Sequence, residues 1–218
     1  MATEDNGRWL IVGLGNHGAR YCGNRHNVGF MVVNALIDRS DGLSWRSSTR
    51  FSGELAVGQL SGRSVVALKP QTYMNLSGRS AGPLAHFYRI PAERVIAIHD
   101  DIDLDPGRVK VKLGGGAGGH KGLLSLIEHL GSADFVRVRL GVGRPAVGDV
   151  SDYVLSDFPA DDDEVVEEMI ARSTKAVRTV ITRGAKEAMN RYNRPPKRPR
   201  PKVTDEETNE KPDEPRES

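Results

Sequence analysis

Continuous apolar runs and helix-spaced apolar residues alternate along most of the chain. The run at residues 9–12 is apolar throughout and ends in glycines, a pattern typical of a buried β-strand. Beyond it, Asn27 is a helix-capping residue, and the helix that it opens is expected to end near Ser40. The apolar positions of this predicted helix recur at helical spacing, at Phe30, Val33, Leu36 and Ile37.

A hairpin and a further strand follow in the pattern. Residues 51–60 and 64–69 predict two strands joined by a turn at Ser61 and Gly62. A helix is expected after Asn75, with Pro83 either kinking it or marking its start. The run Val-Ile-Ala-Ile-His at 95–99 predicts another buried strand, which leads into an acidic loop.

The next two predicted strands are apolar on one face and basic on the other, with Leu113 on the apolar face. The basic positions are Arg108, Lys110 and Lys112 in the first strand and Arg137 and Arg139 in the second. Residues 121–130 predict a helix that stops at Gly131, and a longer helix is expected from near Pro159 to just before Gly184. Strands alternating with helices, together with a hairpin, predict a single α/β domain with a mixed sheet.

Length and composition limit the class of protein. With 218 residues, of which 38% are hydrophobic, the chain is large enough for one sizeable core. The single cysteine, Cys22, excludes an internal disulfide and a cysteine-based zinc cage. The sequence shows no signal-peptide pattern and no apolar run of membrane-spanning length, so we expect a cytoplasmic protein without membrane contact.

Composition changes at both ends of the chain. Residues 1–8 are predicted to be a disordered leader and residues 194–218 a disordered tail rich in proline and charge, which leaves 9–193 as the folded domain. The stretch 194–202 has five basic residues and no acidic one. Contact with RNA is one interpretation of that stretch, but a plain solvated tail is favoured. The net charge of +2 neither requires nor excludes nucleic acid.

Two glycine-rich segments match nucleotide-binding patterns only in part. Residues 13–18 fit the G-x-G-x-x-G turn of a dinucleotide site, and Asp38 follows at a suitable distance. The turn residues Gly23 and Asn24 interrupt the helix that such a site needs, so a dinucleotide enzyme is disfavoured. Residues 114–122 lack the Gly-Lys-Ser/Thr of a phosphate-binding loop, although their backbone amides are available to an anion.

Three loops that border apolar elements carry side chains able to hydrogen-bond or to transfer protons: Asn16 and His26, Tyr73 and Asn75, and His99 with Asp100 and Asp101. Ligands of open α/β sheets collect at the carboxyl ends of strands, so one pocket is expected from these loops. A histidine held by a carboxylate can act as a general base toward water. Plainer roles fit equally: His26 capping a helix, His99 in the core, and the aspartates in turns or at a cation.

Four segments contain most of these residues: LIVGLGNHGARYCGNRHNVGF, KPQTYMNLSG, IHDDIDLDPGRVKVKLGGGAGGHKGL and FVRVRLGVGRP. In order and spacing they resemble the motifs of the bacterial-type peptidyl-tRNA hydrolases, over about residues 9–193. The resemblance implies an α/β fold, a single-domain three-layer α/β/α sandwich with a twisted mixed β-sheet. It also implies hydrolysis of the ester between a peptide, or an N-blocked aminoacyl group, and the 3′ end of tRNA.

The resemblance implies catalytic roles for three residues. His26 is the expected general base that activates water, Asp100 its orienting partner, and Asn16 the residue that contacts substrate near the scissile ester. A positioned water and one base suffice for an ester, so no metal and no cofactor are expected. The implied partner is peptidyl-tRNA, with no obligate protein partner, and the chain is expected to be a monomer.

Substrate-binding roles follow from the same resemblance. Asn75 matches a position that binds substrate and helps to hold the water, whereas Tyr21 and Tyr73 match positions that line the cleft. Lys112 and Arg139 lie where the family grips the 5′-phosphate of tRNA, and both belong to the basic strand face described above. Phosphate contacts of this kind position a nucleic acid without reading its sequence.

Two positions depart from the family pattern. Lys121 stands where an asparagine usually contributes to the water and peptide site, and an ammonium has donors but no acceptor. His17 replaces the proline that usually follows Asn16, which removes a φ restraint and adds a titratable group. Lys121 is the best support for the alternative hypothesis, a non-catalytic RNA-binding relative with the same fold.

Overall fold

The structure of the chain, a computed structural model, describes residues 7–194. Apart from residues 7, 8 and 194, the predicted leader and tail lie outside the described part of the chain. Between residues 7 and 194, no helix combines the length and the apolar character that crossing a membrane requires.

One mixed sheet of seven strands forms the middle layer. Its strands in chain order are β1 (Trp9–Gly13), β2 (Arg46–Ser48), β3 (Gly53–Leu60), β4 (Arg63–Pro70), β5 (Val95–Asp101), β6 (Val109–Leu113) and β7 (Val136–Gly141). Their spatial order is β2-β3-β4-β1-β5-β7-β6. The central strands β4, β1, β5 and β7 run parallel, whereas β2, β3 and β6 pair antiparallel at the two edges.

Helices cover both faces of the sheet and give the predicted three layers. They are α1 (Val28–Asp38), α2 (Ser77–Phe87), α3 (Lys121–Leu130), α4 (Val150–Val154), α5 (Asp163–Arg183) and α6 (Ala185–Tyr192). Apolar residues of α1, α5 and α6 pack in one core cluster against one face, and those of α2 and α3 pack in a second cluster against the other. The α/β/α architecture and the mixed sheet are therefore confirmed.

Several local predictions are confirmed by the backbone. The hairpin turn between β3 and β4 has positive φ at both Ser61 (52°) and Gly62 (76°), as a two-residue turn between right-twisted strands requires. Gly131 ends α3 in the left-handed conformation, with φ of 67°. The short elements β2, α4 and α6 had no counterpart among the predictions.

Three local details differ from the simplest expectation. Helix α2 starts at Ser77, as expected for a helix after Asn75, and it continues through Pro83, which excludes the alternative that the proline marks its start. Asn27 precedes α1, but its side chain makes no capping bond and pairs with the backbone of Asn16 instead. Leu113 is 49% exposed because it is the last residue of the edge strand β6, where the apolar face is no longer covered.

Candidate active site

All nine residues predicted for the site line one cavity of about 640 Å³ at the carboxyl ends of β1, β5 and β7. They are Asn16, Tyr21, His26, Tyr73, Asn75, Asp100, Lys112, Lys121 and Arg139. The loops after parallel strands meet at this edge of the sheet, as expected for an open α/β fold. The structure thus brings all nine residues to one cavity, and the role of each stays a prediction.

Helix α1 approaches the strand ends closely, which brings the preceding turn into the cavity. A Cβ on Gly29 would lie 2.4 Å from the carbonyl oxygen of Ile98, and one on Gly13 would lie 2.5 Å from the carbonyl oxygen of Gly29. Only glycine fits at such contacts. The short 3-10 turn Arg25–Asn27 that opens this helix therefore carries His26 to the end of β5, where Asp100 lies.

Asp100 accepts two hydrogen bonds from imidazoles through one oxygen. Nδ1 of His26 lies 2.8 Å from Oδ1 of Asp100, and Nε2 of His120 lies 3.0 Å from the same oxygen. Burial alone raises the pKa of Asp100, but the electrostatic interaction with His120 and the hydrogen bonds from His120 and His26 outweigh it. The pKa of Asp100 is therefore well below its usual value.

The ionised carboxylate fixes the tautomer of His26. Because Nδ1 of His26 donates its hydrogen bond to Asp100, the neutral imidazole has its lone pair on Nε2. The side chain of His26 is 13% exposed, and the residue lines the cavity. This arrangement is compatible with a general base, and the catalytic role of His26 stays a prediction.

The structure adds His120 to the site, a residue that was not among the predicted site residues. Its Nδ1 accepts from the backbone N–H groups of Gly122 and Leu123, at 3.1 and 3.3 Å, and so caps the start of α3. Its Nε2–H donates to Asp100, so the cap and the carboxylate select the same tautomer. The sequence held one sign of this role: His120 stands at the end of a glycine-rich loop, directly before the predicted helix at 121–130.

Asn16 is held rigidly with its amide nitrogen free. Its Oδ1 accepts from the backbone N–H of Met74 at 2.8 Å, and its own backbone is bonded on both sides by the side chain of Asn27. Within residues 7–194, Nδ2 of Asn16 makes no hydrogen bond, although the residue is only 8% exposed. Two N–H donors are therefore available to a substrate oxygen in the cavity.

His99 is a core histidine, as its plainer interpretation had it. It is 3% exposed, its Nδ1 donates to the carbonyl oxygen of Asp100 at 2.7 Å, and its ring lies edge-on to that of His120 with centroids 4.9 Å apart. Burial, followed by the electrostatic interaction with His120, lowers the pKa of His99 to about 3. His99 is therefore neutral at physiological pH and supports the site without supplying charge.

Basic side chains of β6 and β7 also line the cavity. They include Lys112 and Arg139, and Nε of Arg139 is 2.6 Å from Oδ2 of Asp101. Arg137 lies on the same strand face but is only 2% exposed. The ring of Phe135 and the loop at Gly115 cover its guanidinium.

Aromatic and polar side chains complete the rim. Tyr73 is 51% exposed, and its ring lies 5.3 Å from that of His17, the residue that stands in place of the usual proline. Lys121 is the first residue of α3 and is exposed beside His120. Tyr21 lies in a short 3-10 turn that follows Gly18. The long helix of a dinucleotide site is absent at this position, because helix α1 begins only at Val28.

The catalytic candidates also have the composition of a metal site. Ligand atoms of His26, Asp100 and His120 all lie within 4.8 Å of one another. In the structure, the same atoms are engaged in the hydrogen bonds described above. Hydrogen bonding among the two histidines and the carboxylate accounts for both imidazole tautomers.

Comparisons with known proteins agree with this geometry. The sequence pattern of the peptidyl-tRNA hydrolase family matches residues 10–201. The peptidyl-tRNA hydrolase of Geobacter sulfurreducens is 47% identical over 193 residues, which cover 88% of this chain and 96% of the relative. That of Mycobacterium avium is 47% identical over 185 residues, which cover 84% and 96%. The crystal structure of peptidyl-tRNA hydrolase from Acinetobacter baumannii superposes with a TM-score of 0.81 at 36% identity, covering 88% of this chain and 97% of that one. The chain belongs to the peptidyl-tRNA hydrolase family.

Proposed function

We propose that the protein hydrolyses the ester that joins a peptide, or an N-blocked aminoacyl group, to the 3′ end of tRNA. The observation that carries the proposal is the 2.8 Å hydrogen bond from His26 to a buried, ionised Asp100 at the wall of the cavity. That contact leaves Nε2 of His26 as a proton acceptor on the cavity side of the ring. Family membership supplies the substrate class.

The reaction begins with transfer of a proton from water to Nε2 of His26. The resulting hydroxide attacks the ester carbonyl carbon, and negative charge develops on the carbonyl oxygen. Asp100 stabilises the imidazolium that forms. When the tetrahedral intermediate collapses, the ribose oxygen leaves with the proton from His26, and the peptide leaves as a carboxylic acid. Each proton removed by the base is thus returned to the leaving group.

The free amide nitrogen of Asn16 is the donor suited to the carbonyl oxygen. Because Oδ1 is already fixed by the Met74 backbone, the amide cannot turn its acceptor toward the substrate. Donors that are oriented before the reaction stabilise developing charge most effectively. Asn75, with its side chain at the cavity, is assigned to hold the water and the substrate.

Binding of the RNA is assigned to the basic side chains that line the cavity. Lys112 and Arg139 are suited to the 5′-phosphate of tRNA. Tyr21 and Tyr73 offer rings to the tRNA end or to the peptide. The ammonium of Lys121 is suited to a substrate carbonyl or to the RNA backbone.

Hydrolysis of N-acetyl-aminoacyl-tRNA tests the proposal directly. The purified chain is incubated with this substrate, and release of the N-acetyl amino acid is followed over time. We expect rapid release, and slower release from the same aminoacyl-tRNA without the acetyl group. Tight binding of tRNA without hydrolysis would contradict the proposal and favour the non-catalytic RNA-binding alternative. The monomeric state stays a prediction, which sedimentation of the same preparation tests.

A further inference from the structure

Arg25 is a buried cation that precedes the proposed base His26 in the same 3-10 turn. The residue is 8% exposed, and no carboxylate in the described part of the chain forms an ion pair with it. Its Nη1 lies 2.6 Å from Oγ of Ser156 and 2.8 Å from the carbonyl oxygen of Asp157. The carbonyl oxygens of Ser156 and Tyr153 are further acceptors, at 3.3 and 3.5 Å. This nitrogen of Arg25 therefore donates to one distant segment of the chain and not to a counter-ion.

Two aromatic rings of the same segment enclose the guanidinium of Arg25. Its central carbon lies 4.3 Å from the centre of the Tyr153 ring and 5.5 Å from that of the Phe158 ring. A guanidinium is planar and weakly hydrated, so it can stack on rings while its edge donates hydrogen bonds. An ammonium lacks this plane. The two kinds of contact together require arginine at this position rather than lysine.

The backbone around Arg25 pairs with the same segment. Asn24 and Asp157, which are 133 positions apart, form an isolated antiparallel bridge, and Nδ2 of Asn24 donates to Oδ1 of Asp157 at 2.7 Å. The backbone N–H of Arg25 donates to the carbonyl oxygen of Ser156 at 3.1 Å. The turn that carries the proposed base is thus joined to the segment after α4 by backbone and side-chain bonds alike.

Helix α4, which forms part of the cavity wall, directly precedes this segment. A helix of five residues has little stability of its own, so its place depends on its tertiary contacts. Tyr153 supplies two of them, because its ring lies on Arg25 and its hydroxyl donates to the carbonyl oxygen of Val142 at 2.6 Å. Arg25 itself is not among the residues that line the cavity. The wall consists of Val150, Ser151 and Val154 of α4, together with Leu155.

This anchoring sets the place of the wall relative to the base. Val150 and Leu155 present apolar surface, at 37% and 39% exposure, in the same cavity as the imidazole of His26. A substrate that rests on the wall is placed relative to Nε2 of His26 only as accurately as the wall and the turn are held together. A misplacement of about 1 Å is enough to lower a rate by roughly 10²-fold.

We infer that Arg25 is a positioning residue of the hydrolysis, which fixes the cavity wall at α4 relative to His26 without contacting the substrate. This role rests on the proposed function for the identity of the reaction. Because Arg25 acts through the wall, its replacement affects kcat separately from any effect on the stability of the fold. The affinity for tRNA, which depends on other side chains, is not affected.

The first test compares Arg25→Lys with the wild type on N-acetyl-aminoacyl-tRNA, at a temperature where thermal unfolding shows both to be folded. We expect kcat to fall by about ten-fold or more, with the affinity for tRNA and the midpoint of the pH–rate profile unchanged. Arg172→Lys is the matched control, because Arg172 donates to the carbonyl oxygens of Tyr192 and Arg194 and stacks on the Tyr192 ring, away from the cavity. It is expected to lower the melting temperature and to leave kcat unchanged.

A double substitution separates positioning from a general structural role. Leu155→Ala trims the wall itself, so kcat is expected to fall. If Arg25 acts through the wall, adding Arg25→Lys to Leu155→Ala lowers kcat by no more than about two-fold further, whereas independent effects multiply. A multiplied loss overturns the inference. So does an unchanged kcat in either single variant, or an equal fall of kcat in Arg172→Lys.

Hydrogen exchange tests the anchor without any activity. In Arg25→Lys, the amides of residues 150–158 are expected to exchange faster and those of α5 as in the wild type, and unchanged exchange at 150–158 overturns the inference. If the wild type hydrolyses no substrate, the proposed function fails, and the exchange result alone decides whether Arg25 holds α4. Should Arg25→Lys fail to fold, Ser156→Ala, which removes the nearest acceptor of Arg25, is measured in its place, with an unchanged kcat again overturning the inference.

Discussion

His26 and Asp100 are 74 positions apart in the chain, yet Nδ1 of the histidine lies 2.8 Å from Oδ1 of the aspartate. The contact depends on the close approach of α1 to the ends of β1 and β5, where Gly13 and Gly29 leave no room for a side chain. An imidazole held in this way has one nitrogen committed to the carboxylate and the other available for proton transfer.

Replacing His26 by alanine removes the proposed base. We expect kcat to fall by roughly 10²–10⁴-fold, with little change in the affinity for tRNA, because the proposed phosphate contacts are made by other side chains, Lys112 and Arg139. Single-turnover hydrolysis and filter binding measure the two quantities separately. His86→Ala, an exposed change on α2, is the control and should leave both unchanged. Near-normal turnover in the His26 variant would rule out the assigned role.

His120 is expected to position Asp100 and to cap α3, and two substitutions separate these functions. His120→Ala loses both, so the melting temperature and kcat should fall together. His120→Asn restores an acceptor for the N–H groups of Gly122 and Leu123, because asparagine is a favourable cap, but does not reach Asp100. We expect the asparagine variant to recover most of the melting temperature and little of kcat. Recovery of both would show that His120 acts only as a cap.

Much of the fold was predictable because its signals are local. Apolar runs marked β1 and β5, and the turn at Ser61 and Gly62 marked the hairpin, since their patterns depend on neighbouring residues alone. The polar loops could be predicted to meet in one cavity because the carboxyl ends of parallel strands lie at the same edge of a sheet. Strand β2 was missed because its three residues, Arg-Ser-Ser, have no apolar pattern. They form a strand because they pair with β3.

The parts of the site that were missed depend on contacts between distant segments. Alternation along β7 placed Arg137 on the basic face, but it could not show that the loop at Gly115 would cover the side chain. Likewise, the pattern around His120 indicated a helix start, but not that its second nitrogen would reach Asp100, 20 positions away. Burial and hydrogen-bond partners of these two residues are set by tertiary packing rather than by sequence neighbours.

The substitution Asn16→Asp separates the role of the amide oxygen from that of the amide nitrogen. The aspartate keeps an oxygen for the Met74 backbone but loses the N–H donors proposed for the ester carbonyl. It also adds negative charge where negative charge develops, so kcat/KM is expected to fall by about 10²-fold or more. The melting temperature should change little. Asn190→Asp, an exposed change of the same kind on α6, is the control, and a comparable rate for both variants would argue against the donor role.

The stability of the fold is expected to decrease as the pH falls below about 6.5, in part through His99. Its pKa is about 3 in the folded chain and near 6.5 when unfolded, so the unfolded state binds the extra proton across this window. The contribution is complete above pH 6.5 and is lost as the pH falls toward 3, by at most about 1.4 kcal/mol for each pH unit. Asp100 affects only lower pH, because its folded pKa lies below its ordinary value of 3.8. Urea unfolding at pH 7, 5.5 and 4.5 should therefore show wild type losing stability faster than His99→Asn, whose amide stays neutral. Parallel pH dependences for the two proteins would mean that His99 is not the buried neutral group inferred here.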